Sequence, residues 1–263
     1  MQNRLYIITL FILILLTGVR QSAAQERLTP ADAEDVAIAF YKTGGLVPNF
    51  KNWIEEREPY NLTPLALRPQ VMEEELLRLN TAYKNFNPEK DFLIVKTTAL
   101  LKTQKNVVVV TDEQGEETEK NEYELIIRFD QKSDVLYFPY QFLEQNIMIV
   151  PLKLKDLKTT PLNKLDFERI RGATSENIPV PFILRLRAQK ADIEEPYEVD
   201  GFDQWALSTE VVSMETWNEN GSLLWEYSAP WYVSPHSEKI HKLYNEREKQ
   251  ELEFDETKAV IIQ

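Results

Sequence analysis

The chain of 263 residues contains no cysteine. This absence excludes a disulfide framework, a thiolate metal site and a lipid attached to a cysteine side chain. Hydrophobic residues nevertheless make up 43% of the chain and aromatic residues 11%, a composition typical of globular rather than disordered proteins. The sequence therefore predicts a folded chain without covalent cross-links.

Histidine and glycine are also scarce. The two histidines, His236 and His241, are five residues apart, whereas a helical zinc pair needs four-residue spacing with a glutamate between. None of the seven glycines belongs to a phosphate-binding loop or to a Gly-x-Ser-x-Gly nucleophile motif. We therefore expect no metal and no nucleotide cofactor, and the sequence assigns no catalytic, cofactor-binding or metal-ligating residue.

Basic residues are outnumbered by acidic ones, 30 against 43, which gives a net charge of −13. Nucleic-acid binding requires a basic face, so the charge argues against a nucleic-acid partner and we expect none. The acidity favours solubility, and any partner recognised by charge is expected to be basic.

Residues 1–24 have the three parts of a cleavable signal peptide. Arg4 supplies the positive start, residues 5–19 form an apolar run, and the segment 22–24 (Ser-Ala-Ala) places small side chains at the cleavage site. The run is shorter than the about 20 apolar residues that a membrane-spanning helix needs. We predict cleavage after Ala24 and a protein of the periplasm or extracellular space, with no stable membrane span after cleavage.

Helical patterns dominate residues 25–90. Thr29 and Pro30 give a cap-then-proline signal for a first helix that ends at Gly44, and an amphipathic stripe predicts a second helix over about 69–86. A short helical turn is predicted over 50–57. We expect this segment to be helical and to pack through its apolar stripes.

The hydrophobic period changes to two over residues 91–233, which predicts an antiparallel β-rich core. We predict strands over 92–101, 107–111, 123–129, 135–140, 147–150, 182–189, 205–217 and 223–228. Thr160 and Pro161 repeat the cap-then-proline signal and predict a short helix ending near Gly172.

Residues 234–263 are predicted to form a polar C-terminal helix, capped by Ser237 and running over about 238–251, followed by a tail. The predicted fold class is therefore α+β, with N-terminal helices packed on a mainly antiparallel sheet of six to nine strands and a C-terminal helix.

Aromatic side chains are concentrated in one predicted hairpin and the segment that follows it. We predict an interaction surface here, because aromatic residues are enriched at binding sites. Its members are Trp217, Glu215, Glu226, Trp231 and Tyr232.

Two registers are open to this hairpin. A two-residue turn at Asn220 and Gly221 places Trp217 opposite Leu224 and Glu215 opposite Glu226. A type I turn over residues 218–221 with a glycine bulge shifts the pairing by one residue and places Trp225 on the face of Glu215. We favour the first register, and we expect its like-charged pair to face solvent or a basic partner, so that Glu215→Lys stabilises the chain by a few tenths of a kcal/mol.

The functional hypothesis that we favour is an exported, non-catalytic protein that binds or assembles with a cell-envelope or extracellular component, its partner a protein or a glycan. One alternative is a carboxylate-dependent glycan hydrolase, because acids are the one catalytic group present in quantity. Another is a carrier of a small apolar ligand within the sheet.

Overall fold

The computed structural model describes residues 29–111, 114–129, 136–175, 177–218 and 220–234. The predicted signal peptide, the C-terminal helix over 238–251 and both histidines lie outside these residues. All the helices and strands described belong to one unit that begins at Ala31.

Five α-helices occur in the described part of the chain. They are α1 (Ala33–Thr43), α2 (Phe50–Glu55), α3 (Glu58–Asn61), α4 (Arg68–Asn85) and α5 (Lys164–Ala173). A 3₁₀ turn spans Leu154–Leu157. None of these helices has the length and apolar character that crossing a membrane requires.

Helix α1 begins three residues later than its cap-then-proline signal predicts. Its N-cap is Asp32, which accepts a hydrogen bond from the backbone N–H of Asp35 at 2.9 Å, while the Asp35 side chain accepts from Asp32 N at 3.1 Å. The preceding residue, Ala31, donates its N–H to Ile94 O at 2.9 Å. The predicted start at Thr29 and Pro30 is therefore wrong, because the chain is still bonded to a strand there.

The predicted start of helix α5 is wrong for the same reason. Thr160 and Pro161 lie in strand β5 (Thr159–Leu162), opposite Leu125 and Glu124. The N-cap is Asn163 instead, whose side chain accepts from Asp166 N at 2.7 Å.

Nine strands form one large sheet within the described residues. They are β1 (Leu93–Thr111), β2 (Glu117–Phe129), β3 (Phe138–Phe142), β4 (Gln145–Leu152), β5 (Thr159–Leu162), β6 (Val180–Ala191), β7 (Tyr197–Val199), β8 (Phe202–Trp217) and β9 (Leu223–Ser228). The order is β3-β4-β8-β6-β1-β2-β5, and β7 and β9 also pair with β8. Every described pair is antiparallel except β4 with β8, so the mainly antiparallel sheet is confirmed.

Strand β8 occupies the centre of this arrangement. One edge pairs with β6, and the other is shared by β4, opposite Trp205 to Glu210, and by β9, opposite Ser213 to Trp217. Between these two partners, Val212 O accepts a hydrogen bond from Ala229 N at 2.8 Å. The segment that follows β9 is thereby fixed to the middle of β8.

The core lies on the face of the sheet to which alternate residues of β6 contribute. Phe182, Leu184, Leu186 and Ala188 are all buried, as period-two alternation predicts. They belong to the same hydrophobic cluster as residues 36–40 of α1, Leu79 of α4 and Ile170 of α5. The other face of β6 carries Arg185 and Arg187, and it holds the polar groups considered next.

Candidate functional site

The five residues of the predicted interaction surface have very different environments. Glu215 is fully buried, Trp217, Glu226 and Tyr232 are half-buried, and Trp231 is 47% exposed. The expectation that Glu215 faces solvent or a basic partner is therefore wrong. Its cation comes from the neighbouring strand of the same chain.

Arg185 on β6 supplies that cation. Its Nη1 donates to Glu215 Oε1 and, at 2.9 Å, to Ser213 Oγ, while the Trp217 indole N–H donates to Glu215 Oε2 at 3.3 Å. Both carboxylate oxygens of Glu215 thus accept hydrogen bonds inside the protein. A buried charge needs this pairing, because desolvation costs several kcal/mol per ion.

The strand register explains why the two charges meet. Arg185 lies opposite Ser213 and Ile183 opposite Glu215, so Arg185 and Glu215 are diagonal neighbours on one face. On the other edge of β8, Glu226 lies directly opposite Glu215. Arg185 neutralises Glu215 in this like-charged pair.

The β8–β9 hairpin combines parts of both predicted registers. Glu215 faces Glu226 and Thr216 faces Trp225, as in the two-residue-turn register, but Trp217 faces Leu223 rather than Leu224. The turn closes with Asn218 N donating to Ser222 O at 2.9 Å.

This turn resembles the second alternative instead. Gly221 N donates to Asn218 O at 3.0 Å, Ser222 N donates to the Asn218 side chain at 2.8 Å, and Gly221 has φ +73°. The register shift near Leu224 accommodates the extra turn residue. The favoured strand pairing is therefore confirmed from Ser213 to Thr216, whereas the predicted pair of Trp217 with Leu224 and the two-residue turn are wrong.

A second polar cluster surrounds Trp231. Its ring lies over the Arg187 guanidinium, 4.2 Å from the ring centroid, and its N–H donates to Glu210 Oε1 at 3.2 Å. Arg187 in turn donates through Nε to Glu210 Oε2 at 3.1 Å. The next residue, Tyr232, packs edge-on against Phe92. These contacts hold the segment after β9 against the sheet, which is a structural role for both aromatic residues.

The helical region contains a further ion network. Glu34 of α1 binds Arg57 and Arg78, and Arg78 also binds Glu75. Burial alone would raise the pKa of Glu34, but hydrogen bonds and charges from Arg78 and Arg57 outweigh burial and lower that pKa. Burial also raises the pKa of the adjacent Asp35, and there it outweighs the hydrogen bond from Asp32 N, which lowers the pKa. The network connects α1 to α4.

In the ranges that the structure describes, no three His, Cys, Asp or Glu side chains are grouped so that they could hold a metal ion. His236 and His241 are outside those ranges.

The far half of the β1–β2 hairpin carries an exposed apolar run. We call residues 106–111 of β1 and 117–122 of β2 the arm. Four consecutive valines of the arm, Val107 to Val110, have exposed fractions between 37% and 58%. They alternate between both faces, and each lies opposite a polar residue of β2 from Thr118 to Asn121.

Neither strand of the arm has a second partner among the described residues. Strand β6 pairs with β1 only from Leu93 to Ala99, and β5 pairs with β2 only from Tyr123 to Ile126. No described strand therefore occupies the outer backbone groups of the arm, which are the groups that a further strand would bind.

The sequence pattern predicted a strand at 107–111 but not the exposure of its valines. The signal was in the partner strand, because residues 117–122 (Glu-Thr-Glu-Lys-Asn-Glu) offer no apolar side chain to either face. A strand that is polar on both faces cannot bury a partner rich in valine.

Comparison of the chain with protein-family models, curated proteins and solved structures finds no match. Function must be inferred from the chain's own geometry.

Proposed function

We propose that this chain is an exported, non-catalytic protein that assembles with a partner in the cell envelope or extracellular space by adding a strand to the arm. The main support for this proposal is the exposed run Val107 to Val110 in the arm, whose outer edges pair with no described strand. Strand addition uses main-chain hydrogen bonds for affinity and alternate side chains for specificity.

The two edges of the arm differ, and the difference supports a binding role. Proteins protect exposed edges with charged residues, as β2 does with Glu117, Glu119 and Glu122. The β1 side, from Asn106 to Thr111, has no charged residue and carries five β-branched side chains that suit strand pairing. An unprotected apolar edge is otherwise a liability for aggregation, so its use as an interface accounts for it.

Export is supported by the sequence pattern of residues 1–24, with Arg4 before an apolar run and Ala24 at the cleavage site. The net charge of −13 favours a basic partner only where recognition depends on charge, whereas strand addition at the uncharged β1 edge depends on main-chain hydrogen bonds. The glycan-hydrolase alternative gains no support from Glu215 and Glu226, the acids that the hairpin brings opposite each other, because Glu215 is buried and bound to Arg185.

Site-specific photo-crosslinking in the producing cell tests the proposal. A photoreactive residue at Val108 or Val109 is expected to give a covalent adduct with a protein. The matched control is Val47, which is even more exposed but lies between α1 and α2, outside any strand. Absence of adducts at the arm, or equal adducts at Val47, would contradict a binding role for the arm.

A further inference from the structure

We propose that the partner strand is β1 of a second copy of this chain, paired antiparallel along the outer edge of residues 106–111. This inference rests on the proposed function of the arm as a strand-binding element. The two copies would be related by a two-fold axis passing through the run Val107 to Val110.

Charge selects this edge for self-pairing. Residues 106–111 carry no charge, whereas residues 117–122 carry three glutamates and one lysine. Two β2 edges brought together would place glutamates against glutamates, and like charges on facing strands are destabilising. Since each copy also has a net charge of −13, the neutral β1 edge is the part of the arm that a second copy can approach without facing like charges.

The side chains favour the same pairing. Within one chain, Val107 to Val110 face Asn121, Lys120, Glu119 and Thr118 in that order, so no valine of the arm has an apolar cross-strand partner there. Antiparallel pairing of the run with its own copy places valine beside valine on both faces. Pairs of β-branched side chains are among the favourable cross-strand contacts.

The geometry also limits the size of the assembly. A two-fold pair of β1 edges uses the same surface on both copies and closes on itself, leaving the two acidic β2 edges outermost. Pairing of two runs of six residues is small for a permanent interface, so we expect a reversible dimer with a dissociation constant on the order of micromolar.

The lack of native cysteine permits a direct test. Single cysteines are placed at positions 107, 108, 109 and 110 of the mature chain and oxidised at concentrations that span the expected dissociation constant. We expect disulfide-linked dimers with a maximum at one position or two adjacent positions, nearest the axis. The matched controls Lys120→Cys and Asn121→Cys, on the opposite edge of the arm, are expected to give no disulfide-linked dimer.

Sedimentation equilibrium of charge variants provides an independent measurement. Val108→Lys is expected to weaken self-association at least about 10-fold, because it places like charges near the axis. Thr118→Lys, which adds the same charge to the β2 side, is expected to leave it unchanged. The described core contains no residue of the arm, so we expect each variant to keep its fold. Circular dichroism checks this.

The outcomes separate this inference from the proposed function. A chain that stays monomeric, yet is crosslinked in cells through Val108 to another protein, would overturn self-pairing and retain the binding role. No crosslink in either setting would overturn both. A ladder of oligomers, or equal linkage through positions 120 and 121, would overturn the closed two-fold pair.

Discussion

Arg185 on β6 and Glu215 on β8 form an ion pair in which both side chains are buried. This relationship reverses the sign of the effect that the sequence predicts for Glu215→Lys. A lysine at this position would place two buried cations together and remove the acceptor of Arg185. We expect a loss of at least about 3 kcal/mol in the free energy of unfolding, measured by urea denaturation.

The matched control is Glu226→Lys, on the facing strand and half-buried, for which we expect a change below about 1 kcal/mol. Replacing both charges, with Arg185→Met and Glu215→Leu, is expected to restore most of the stability that either single change removes, because no unpaired buried charge remains. A double variant as unstable as the sum of the single variants would contradict this account.

The pKa of Glu34 predicts how stability depends on pH. Because its folded-state pKa lies below the ordinary value of 4.5, its contribution is fully present above pH 4.5 and is lost as pH falls through the folded-state pKa. We expect Glu34→Gln to cost about 1–2 kcal/mol at pH 7, and the cost to shrink on acidification. Urea denaturation at a series of pH values measures this.

Asp35→Asn is the matched control, because Asp35 is the next residue and its pKa is shifted in the opposite direction to that of Glu34. Its raised pKa means that the charged form is disfavoured in the folded chain. The substitution should therefore stabilise the chain at neutral pH, and this gain should vanish as pH falls through the ordinary carboxyl value of 3.8. Parallel pH profiles for the two variants would refute the assignment of the network.

Gly221 and Gly172 predict opposite effects of the same substitution. Alanine at Gly221, where φ is +73°, is expected to cost about 1 kcal/mol from backbone strain alone, since an added Cβ meets no atom within 4 Å. Alanine at Gly172, in helix α5, meets nothing within 4 Å either and is expected to stabilise by up to about 1 kcal/mol. Thermal unfolding distinguishes the two signs, and Gly221→Asn should be milder than Gly221→Ala.

Local patterns predicted most of the elements but not the contacts between distant ones. The alternation of apolar residues predicted β6 and the far part of β8, and β9 was predicted at its observed bounds. The burial of Glu215 could not be predicted, because its cation lies 30 residues away on another strand. Nor does a period of two indicate that β4 pairs parallel with β8.

The two misplaced helix starts have one physical cause. At both sites a threonine followed by proline is a valid local signal for a helix start, but pairing with a strand prevents it. Before α1, Ala31 is hydrogen-bonded to Ile94 of β1. Before α5, Thr160 belongs to β5 and pairs with Leu125 of β2. The helix then began at the next residue able to cap, Asp32 or Asn163. Tertiary pairing thus outweighed a local preference of about 1 kcal/mol.

The central position of β8 determines the order in which the sheet can form. The hairpins β1–β2 and β3–β4 are local and can close as soon as their residues emerge during synthesis. Their neighbours in the sheet, β6 and β8, come much later in the chain, so β1 waits for β6 and β4 waits for β8. Such distant pairings place sheet proteins among the slow folders, at milliseconds to seconds. We therefore expect the valine-rich hairpin to form in that interval, before the strands that anchor its base, β6 and β5, are in place.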